Sequence, residues 1–416
     1  MRLLSALCLT TALAAPALAA TPEEVTQHYA DIALAGYQDS LTTAQALQQA
    51  VAALIATPSD ETLQAARTAW LAARVPYQQT EAFRFGNPIV DDWEGRVNAW
   101  PLDEGLIDYT SGDYGNEENA LATLNVIATP KFTLSGNEID ASTITPELIS
   151  GTLHEADGIE ANVASGYHAI EFLLWGQDLN GTNPGAGNRP FTDFAAGEAC
   201  TNGNCDRRAA YLKSATDLLV AALTEMAANW DEDGPARAVV TTDPQKGILA
   251  ILTGMGSLSY GELAGERIKL GLMLNDPEEE QDCFSDNTHN SHFYDGVGIR
   301  NVYLGTYTRT DGSTLQGPAL SELVAAADPA VDAQLKAELD ASVAALQAMK
   351  DAGDAGKTFD TLIAPGNAEG EAIIMAAVDA LVTQTASIDR AVTALGLSKI
   401  EFEGSDSLDS PGAVFQ

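Results

Sequence analysis

The sequence is poor in basic residues and in histidine. Its 416 residues include 21 lysines and arginines against 59 aspartates and glutamates, for a formal net charge of −38, and only 5 histidines. A surface with this balance repels nucleic acid and anionic lipid and attracts cations. The composition therefore predicts no nucleic-acid partner, although an acidic surface that serves only solubility would have the same balance.

Several familiar catalytic motifs are absent. The chain has no GxSxG nucleophile elbow, no P-loop, no dinucleotide-binding fingerprint and no HExxH pair. Cysteine is scarce, and no CxxC spacing exists, which argues against a structural zinc site built from thiolates. Cys200 and Cys205 enclose a turn-forming loop and are candidates for a local disulfide in an oxidising compartment, which leaves Cys283 over.

Long apolar runs are confined to the start of the chain. Residues 1–20 combine Arg2, an apolar run too short for a comfortable membrane span and the small-residue cleavage site Ala17-Leu18-Ala19. They are predicted to be a signal peptide. No later segment approaches roughly 18 uninterrupted apolar residues. We therefore expect an exported protein that is not an integral membrane protein.

The remaining chain has the pattern of helices almost throughout. Alanine and leucine dominate, and apolar positions recur every three or four residues, which predicts an all-α fold. Thr21, Pro22 and Glu24 form a typical helix start. Residues 176–206 are rich in Gly, Asn and Pro and predict a long loop. We expect this loop to join two helical bundles packed against each other, an N-terminal domain at 21–195 and a C-terminal domain at 196–416.

The run Gly166 to Gly176 contains a histidine and a glutamate within an apolar helical pattern. On a helix, His168 and Glu171 lie about 60° apart, so both side chains can reach one ligand. A histidine among aromatic residues and leucines is desolvated and must find a partner. The pair is predicted to bind a metal, and the alternative is a structural histidine held by Glu171.

Three other segments could complete a site. Trp70, Arg74, Tyr77 and Glu81 fall within about 60° on one helix face. The segment 254–270 contains four glycines that indicate close approach of another backbone or a ligand. In it Glu262 and Glu266 are one helical turn apart, with Arg267 beside them, which could also be an exposed ion-pair ladder. The acidic loop 276–293 offers further oxygen and imidazole ligands: Ser285, Asp286 and His289.

Together, four motifs and their order along the chain resemble the imelysin family, and more closely its iron-regulated branch of exported bacterial proteins. They are Gly166-Tyr-His168-Ala-Ile-Glu171, the Trp70 to Glu81 segment, Gly261-Glu262-Leu-Ala-Gly-Glu266-Arg267 and Cys283-Phe-Ser285-Asp286-Asn-Thr-His289. The resemblance covers nearly the whole chain after the signal peptide. It implies two helical bundles with the signature residues where they meet, a periplasmic location and a role in iron acquisition.

The resemblance also implies roles for particular residues. His168 and Glu171 match the GxHxxE signature, which implies metal binding, and Glu81 matches the acidic residue of the first motif. Arg267 and Asp286 match the later motifs. This sequence departs from the pattern at Gln281, where we expect relatives often to carry a histidine, and glutamine coordinates metals poorly.

Three functions follow as hypotheses. In the first, a periplasmic protein binds iron or a small iron-bearing ligand through His168, Glu171 and Glu81, with a possible outer- or inner-membrane transport component as its partner. Arg74, Tyr77 and the later motif residues would surround these ligands. Carboxylates with one or two imidazoles suit iron. Binding needs no activated water, so we expect a binding protein rather than an enzyme.

The second hypothesis is a metallopeptidase that holds zinc, with Glu81 or Glu266 as general base. The third is a structural buried network, with the ligand bound elsewhere, for example a glycan held by three aromatic side chains: Trp93, Trp100 and Tyr109.

Overall fold

The computed structural model describes residues 20–111 and 119–415. Within those ranges nearly all regular structure is helical and the strands form two short hairpins, which confirms the predicted all-α fold. All but the last residue of the predicted signal peptide lies outside the described residues.

The first half of the chain contains the α-helices that surround the GxHxxE motif. They are α1 (Pro22–Ala56), α2 (Asp60–Gln78), α3 (Pro88–Asn98), α4 (Glu104–Ile107), α5 (Pro146–Leu148) and α6 (Gly166–Trp175). Strands β1 (Lys131–Leu134) and β2 (Asn137–Asp140) pair antiparallel, with Lys131 opposite Asp140. Single turns of 3-10 or π-helix occupy Glu81–Phe83, Ile149–Leu153, Ala156–Gly158, Phe191–Phe194 and Gly197–Ala199.

The second half continues the helical arrangement. Its α-helices are α7 (Cys205–Asn229), α8 (Pro235–Thr241), α9 (Pro244–Ser257), α10 (Leu270–Leu274), α11 (Thr288–Leu304), α12 (Leu320–Ala327), α13 (Pro329–Asp354), α14 (Phe359–Leu362), α15 (Ala368–Ala394) and α16 (Asp406–Asp409). A long π-helix, Leu258–Lys269, joins α9 to α10, and a 3-10 turn forms at Pro277–Glu279. Strands β3 (Thr306–Thr308) and β4 (Thr314–Gln316) form the second antiparallel hairpin.

The predicted start of the first helix is confirmed. Thr21 caps α1 in a capping box, because its side chain accepts from the Glu24 amide while the Glu24 side chain accepts from the Thr21 amide. Ser59 caps α2 in the same manner. Pro76 does not end α2 at once, since the helix continues to Gln78.

The long helices pack in two groups that contact each other. Helix α1 packs against α2, α7 and α8, while α13 packs against α11 and α15, and α11 contacts α2. One cluster of buried apolar side chains extends from Val25 to Ile400 and includes both groups. Helix α7 follows the proposed boundary between residues 195 and 196 yet packs on α1. The division into two domains at that boundary stays a prediction.

Helix α15 is the candidate membrane span among the described residues, judged by length and composition alone. Of its most apolar window, 44% is buried inside the protein. It packs against α13, α9 and the long π-helix. These contacts are those of a core helix in a bundle.

The glycine-rich segment has the close contacts that the sequence predicts. A Cβ at Gly254 would lie 2.5 Å from the Ala82 carbonyl oxygen, and one at Gly261 would lie 2.5 Å from that of Glu403. The helix type differs from the prediction, because residues 258–269 form a π-helix with hydrogen bonds five residues apart. Arg267, five residues after Glu262, contacts the Glu262 carboxylate.

Candidate functional site

Helix α6 is buried along its whole length, and Gly166 at its start allows it to pack closely against α3. Every residue from Gly166 to Trp175 is buried. Gly166 has a φ of +84°, and a Cβ there would lie 2.4 Å from the Val97 carbonyl oxygen, so only glycine lets α6 begin against the end of α3. The helix ends at Gly176, as predicted. This placement puts the GxHxxE side chains inside the protein.

His168, Glu171 and Asp282 form a group that we call the His168 cluster. One donor atom from each lies within 4.8 Å of those of the other two. The Nδ1 atom of His168 lies 3.1 Å from Glu171 Oε2 and 3.8 Å from Asp282 Oδ1. The exposed fractions of the three side chains are 2%, 0% and 0%. One imidazole and two carboxylates thus converge in a buried position.

Both carboxylates of the His168 cluster are held by hydrogen bonds from the loop before α11 and from its first turn. The Ser285 amide and hydroxyl donate to Glu171 Oε1 at 2.9 and 2.6 Å. Asn287 Nδ2 and the Ser291 hydroxyl donate to Asp282 Oδ2. These bonds orient the carboxylates, which is the usual task of outer-shell residues at metal sites.

Arg74 neutralises one of the two carboxylates. Its Nη2 donates to Asp282 Oδ1 at 2.8 Å, and its Nη1 donates to Asn98 Oδ1 at 2.6 Å. The guanidinium lies 5.0 to 5.8 Å from the centres of three aromatic rings: Trp70, Tyr77 and Tyr167. The predicted face of Trp70, Arg74 and Tyr77 therefore borders this cluster. Glu81 does not, because α2 ends before it.

Burial and charge set the protonation states of the His168 cluster. Burial and the Arg74 charge lower the pKa of His168 to about 3, so its imidazole is neutral at physiological pH. Burial and the Asp282 charge raise the pKa of Glu171 well above its usual value. Burial alone would raise the pKa of Asp282, but Arg74 outweighs it and holds that pKa below its ordinary value. A neutral imidazole is the form that binds metals.

A cavity of about 330 Å³ borders the His168 cluster. Its lining includes Trp100, Pro101, Leu102, Asp103, His168, Glu278, Glu280, Gln281, Cys283 and Phe284. The Nε2 atom of His168 is buried and has no hydrogen-bond partner among the described residues. Such an atom is costly unless a ligand satisfies it. Gln281 also lines this cavity, so the position where the sequence departs from the family pattern belongs to the site.

Glu81, Glu262 and Arg267 meet in a different group, which we call the Arg267 cluster and which also contains Asp295. The guanidinium of Arg267 is fully buried and lies 2.6, 2.7 and 3.0 Å from oxygens of Glu81, Glu262 and Asp295. Glu81, expected from the resemblance to be a metal ligand, thus has its carboxylate paired with Arg267. Arg84 extends the cluster, at 3.5 Å from Glu262.

The remaining predicted residues lie in several places. His289 is buried, and its Nε2 lies 3.5 Å from Asp354. Glu266 lies beside the segment 404–409, and Asp286 belongs to a group described below. Cys200 and Cys205 form a disulfide, and Cys283 is free.

The three aromatic residues considered for a glycan are dispersed. Trp93 packs edge-on against Tyr37 in the core, and Trp100 lines the cavity. Tyr109 donates to Asp193 and contacts two arginines.

Three acids that the structure brings into groups are not among the residues predicted from the sequence. They are Asp282, in the His168 cluster, and Asp178 and Asp360, which meet Asp286 in the group described below. Asp282 lies in the loop motif between Gln281 and Cys283, so its neighbours were a signal for it. For Asp360 the sequence contains no such signal, because it lies in the short helix α14, 78 residues after Asp282. Only packing brings it near the motif residues.

The chain belongs to the imelysin family. The model of that family, described as Imelysin, matches residues 33–388. A stretch of 76 residues is 34% identical to iron-regulated protein A of Synechococcus elongatus. That stretch makes up 18% of this chain and 21% of the relative, so it spans only about a fifth of the relative's length.

Two solved structures share the fold. One, from Parabacteroides distasonis, is assigned as an iron-regulated protein A precursor; it has a TM-score of 0.65 and 19% identity, with 91% of this chain and 97% of that chain covered. The other is an imelysin-like protein from Psychrobacter arcticum with a TM-score of 0.57 and 15% identity, with 92% and 98% covered. At these identities the comparisons establish the fold alone.

Proposed function

We propose that this protein binds iron, or a small iron-bearing ligand, at the His168 cluster and the adjoining cavity. The observation that carries the proposal is the buried His168 imidazole, whose Nε2 has no partner among the described residues while carboxylates of Glu171 and Asp282 lie beside it. Imidazole and carboxylate donors suit ferrous or ferric iron. Asp282 takes the ligand position that the resemblance assigned to Glu81.

The cavity has room for a small iron chelate as well as for a bare ion. Its volume, about 330 Å³, lies at the lower end of the range for small-molecule sites, roughly 300–1,000 Å³. The lining comes from both halves of the chain, with α6 and residues 100–103 on one side and the loop before α11 on the other. A site of this kind fits a periplasmic protein of iron acquisition that is exported by its signal peptide and delivers to a membrane transport component.

The zinc-peptidase alternative requires a general base beside the metal. Both candidates lie elsewhere: Glu81 is paired with Arg267, and Glu266 lines a separate pocket with the segment 404–409. A base must lie within hydrogen-bonding reach of the attacking water. Neither Glu81 nor Glu266 is therefore this base. A base would have to come from the acids that line the cavity, which are Asp103, Glu278 and Glu280.

The test is calorimetric titration of the chelator-treated protein with ferrous ion under anaerobic conditions, ferric citrate and zinc chloride. We expect iron binding that falls at least 100-fold in both His168→Ala and Glu171→Gln. His154→Ala is the matched control, because His154 is also largely buried but does not line the cavity.

Equal iron binding in wild type and both variants would contradict the proposal. Casein hydrolysis that is lost in His168→Ala would support the peptidase instead.

A further inference from the structure

Three acidic side chains from distant segments meet outside the His168 cluster, and we call them the carboxylate cluster. Asp178 follows the end of α6, Asp286 follows Ser285 in the loop before α11, and Asp360 lies in α14. One oxygen of each lies within 4.8 Å of those of the other two. Tertiary packing alone creates this group, because the three positions span 182 residues of sequence.

The carboxylate cluster is buried but only partly hydrogen-bonded. Asp360 is 0% exposed, and neither of its carboxylate oxygens has a donor at full hydrogen-bonding geometry among the described residues. The Thr358 side chain and the Thr361 amide lie near it and partly offset the rise in the pKa of Asp360 that burial causes. Asp286 is 8% exposed, and its Oδ1 also lacks a partner there. Asp178 is half-buried, and its Oδ1 accepts from the Asn180 amide and side chain. Buried carboxylate oxygens without donors are costly and call for an explanation.

Among the described residues, no basic side chain pairs with the carboxylate cluster. None of its three carboxylates has a Lys, Arg or His nitrogen within 4.0 Å in that part of the chain. Burial and the charges of Asp360 and Asp178 raise the pKa of Asp286 to about 7. Glu280, in the segment that leads to Asp286, is a further buried acid, at 2% exposure. The repulsion among these acids would be relieved by a cation from solution.

The chemistry of the group and the irregular segments that carry it indicate which cation fits. Ca²⁺ binds oxygen ligands at about 2.3–2.6 Å in flexible geometry, whereas Mg²⁺ requires near-octahedral geometry at about 2.0–2.1 Å. Three carboxylates on two loops and a short helix suit the more tolerant ion. All-oxygen donors also select hard cations over iron or zinc sites built on imidazole.

We propose that Asp178, Asp286 and Asp360 form a second cation site, separate from the His168 cluster, that binds Ca²⁺. The half-buried Asp178 leaves a side open to water, which completes the coordination. The bound ion fastens the loop before α11 to α14 and to the end of α6. The same loop carries Ser285, which holds Glu171, so calcium also rigidifies one wall of the His168 cluster.

The test is calorimetric titration of the chelator-treated full-length protein with CaCl₂, accompanied by thermal unfolding with and without the ion. We expect one saturable Ca²⁺ site and a rise in Tm in the wild type. Asp360→Asn and Asp286→Asn should each weaken Ca²⁺ binding at least 10-fold and remove most of that rise. Their calcium-free Tm should equal or exceed that of the wild type, because each change removes a repelling charge.

Two controls separate this site from other causes of calcium binding. Asp231→Asn changes an exposed acid within the acidic segment 231–233, so it reports nonspecific attraction to the −38 charge and should bind Ca²⁺ as the wild type does. His168→Ala should keep Ca²⁺ binding while iron binding is lost, so failure of the iron proposal and failure of this one are distinguishable.

Three results would overturn the proposal. They are a wild type without saturable Ca²⁺ binding, Asn variants with unchanged affinity, and Mg²⁺ binding as tight as that of Ca²⁺. If Asp360→Asn does not fold, Asp178→Asn serves in its place, because Asp178 is half-buried and its replacement disturbs packing least.

Discussion

The Arg267 cluster and the carboxylate cluster each gather three buried or half-buried acids, but they differ in the source of positive charge. Arg267 contacts Glu81, Glu262 and Asp295 within 3.0 Å. Among the described residues, the carboxylate cluster has no such partner. A buried acid is stable only when it is paired or protonated. The chain thus supplies a cationic partner to one cluster by itself, while in our proposal the other takes a cation from solution.

The His168 cluster is intermediate between these two. Arg74 is bonded to one of its carboxylates, Asp282, while Glu171 shares hydrogen bonds only with the uncharged side chains of His168 and Ser285. The imidazole also keeps one nitrogen without a partner among the described residues. Partial neutralisation of this kind suits a cluster that takes up and releases a cation.

The largest expected effect on stability comes from removing the arginine of the Arg267 cluster. Arg267→Met leaves Glu81, Glu262 and Asp295 without their common partner in a buried position. We expect a loss of about 3–5 kcal/mol in the free energy of unfolding, measured in urea. The matched control is Arg300→Met, whose exposed pair with Asp340 should contribute less than about 1 kcal/mol. Equal losses in the two variants would mean that the buried acids of the Arg267 cluster depend on their arginine no more than an exposed acid does.

The next effect is a pH dependence from Glu94, which lies 3.6 Å from Arg84 at the edge of the Arg267 cluster. Burial raises the pKa of Glu94 to about 7, although Arg84 opposes the shift. The folded protein therefore keeps a proton on Glu94 that the unfolded chain releases near its ordinary pKa. Its contribution to stability is full below about pH 4.5 and falls as the pH rises to about 7.

Glu94→Gln should remove this loss of stability with rising pH. Relative to the variant, the wild type should lose on the order of 2–3 kcal/mol between pH 4.5 and pH 7.5, measured as urea unfolding at several pH values. Glu225→Gln changes an exposed glutamate paired with Arg96 and serves as the control. Parallel stability curves for wild type and Glu94→Gln would show that this carboxyl is not protonated in the folded state.

The smallest expected effect tests the support of the His168 cluster. Ser285→Ala removes the hydroxyl bond to Glu171 but keeps the bond from the Ser285 amide. Loss of one outer-shell partner should lower iron affinity about 10-fold, or about 1.4 kcal/mol, with little change in Tm. Ser313→Ala in the exposed β3–β4 turn is the control. Unchanged iron affinity in Ser285→Ala would mean that the backbone bond alone orients Glu171.

Much of the local structure could be predicted from the sequence. The start of α1 at Thr21, the end of α6 at Gly176 and the pairing of His168 with Glu171 all depend on residues within one or two helical turns. Helix geometry fixes such relations whatever the rest of the chain does. The close contacts at Gly254 and Gly261 were predictable for a similar reason, since glycine in a helix has a local cost that packing must offset.

The tertiary structure alone decided which distant side chains meet. It brought Asp282 to His168 and Arg74, gave Glu81 to Arg267, and assembled Asp178, Asp286 and Asp360. The early end of α2 and the change to π-helix after Ser257 also redirected side chains that an ideal α-helix would have aligned. These outcomes depend on how helices pack across more than 100 residues of sequence, and periodicity carries no information about contacts at that separation.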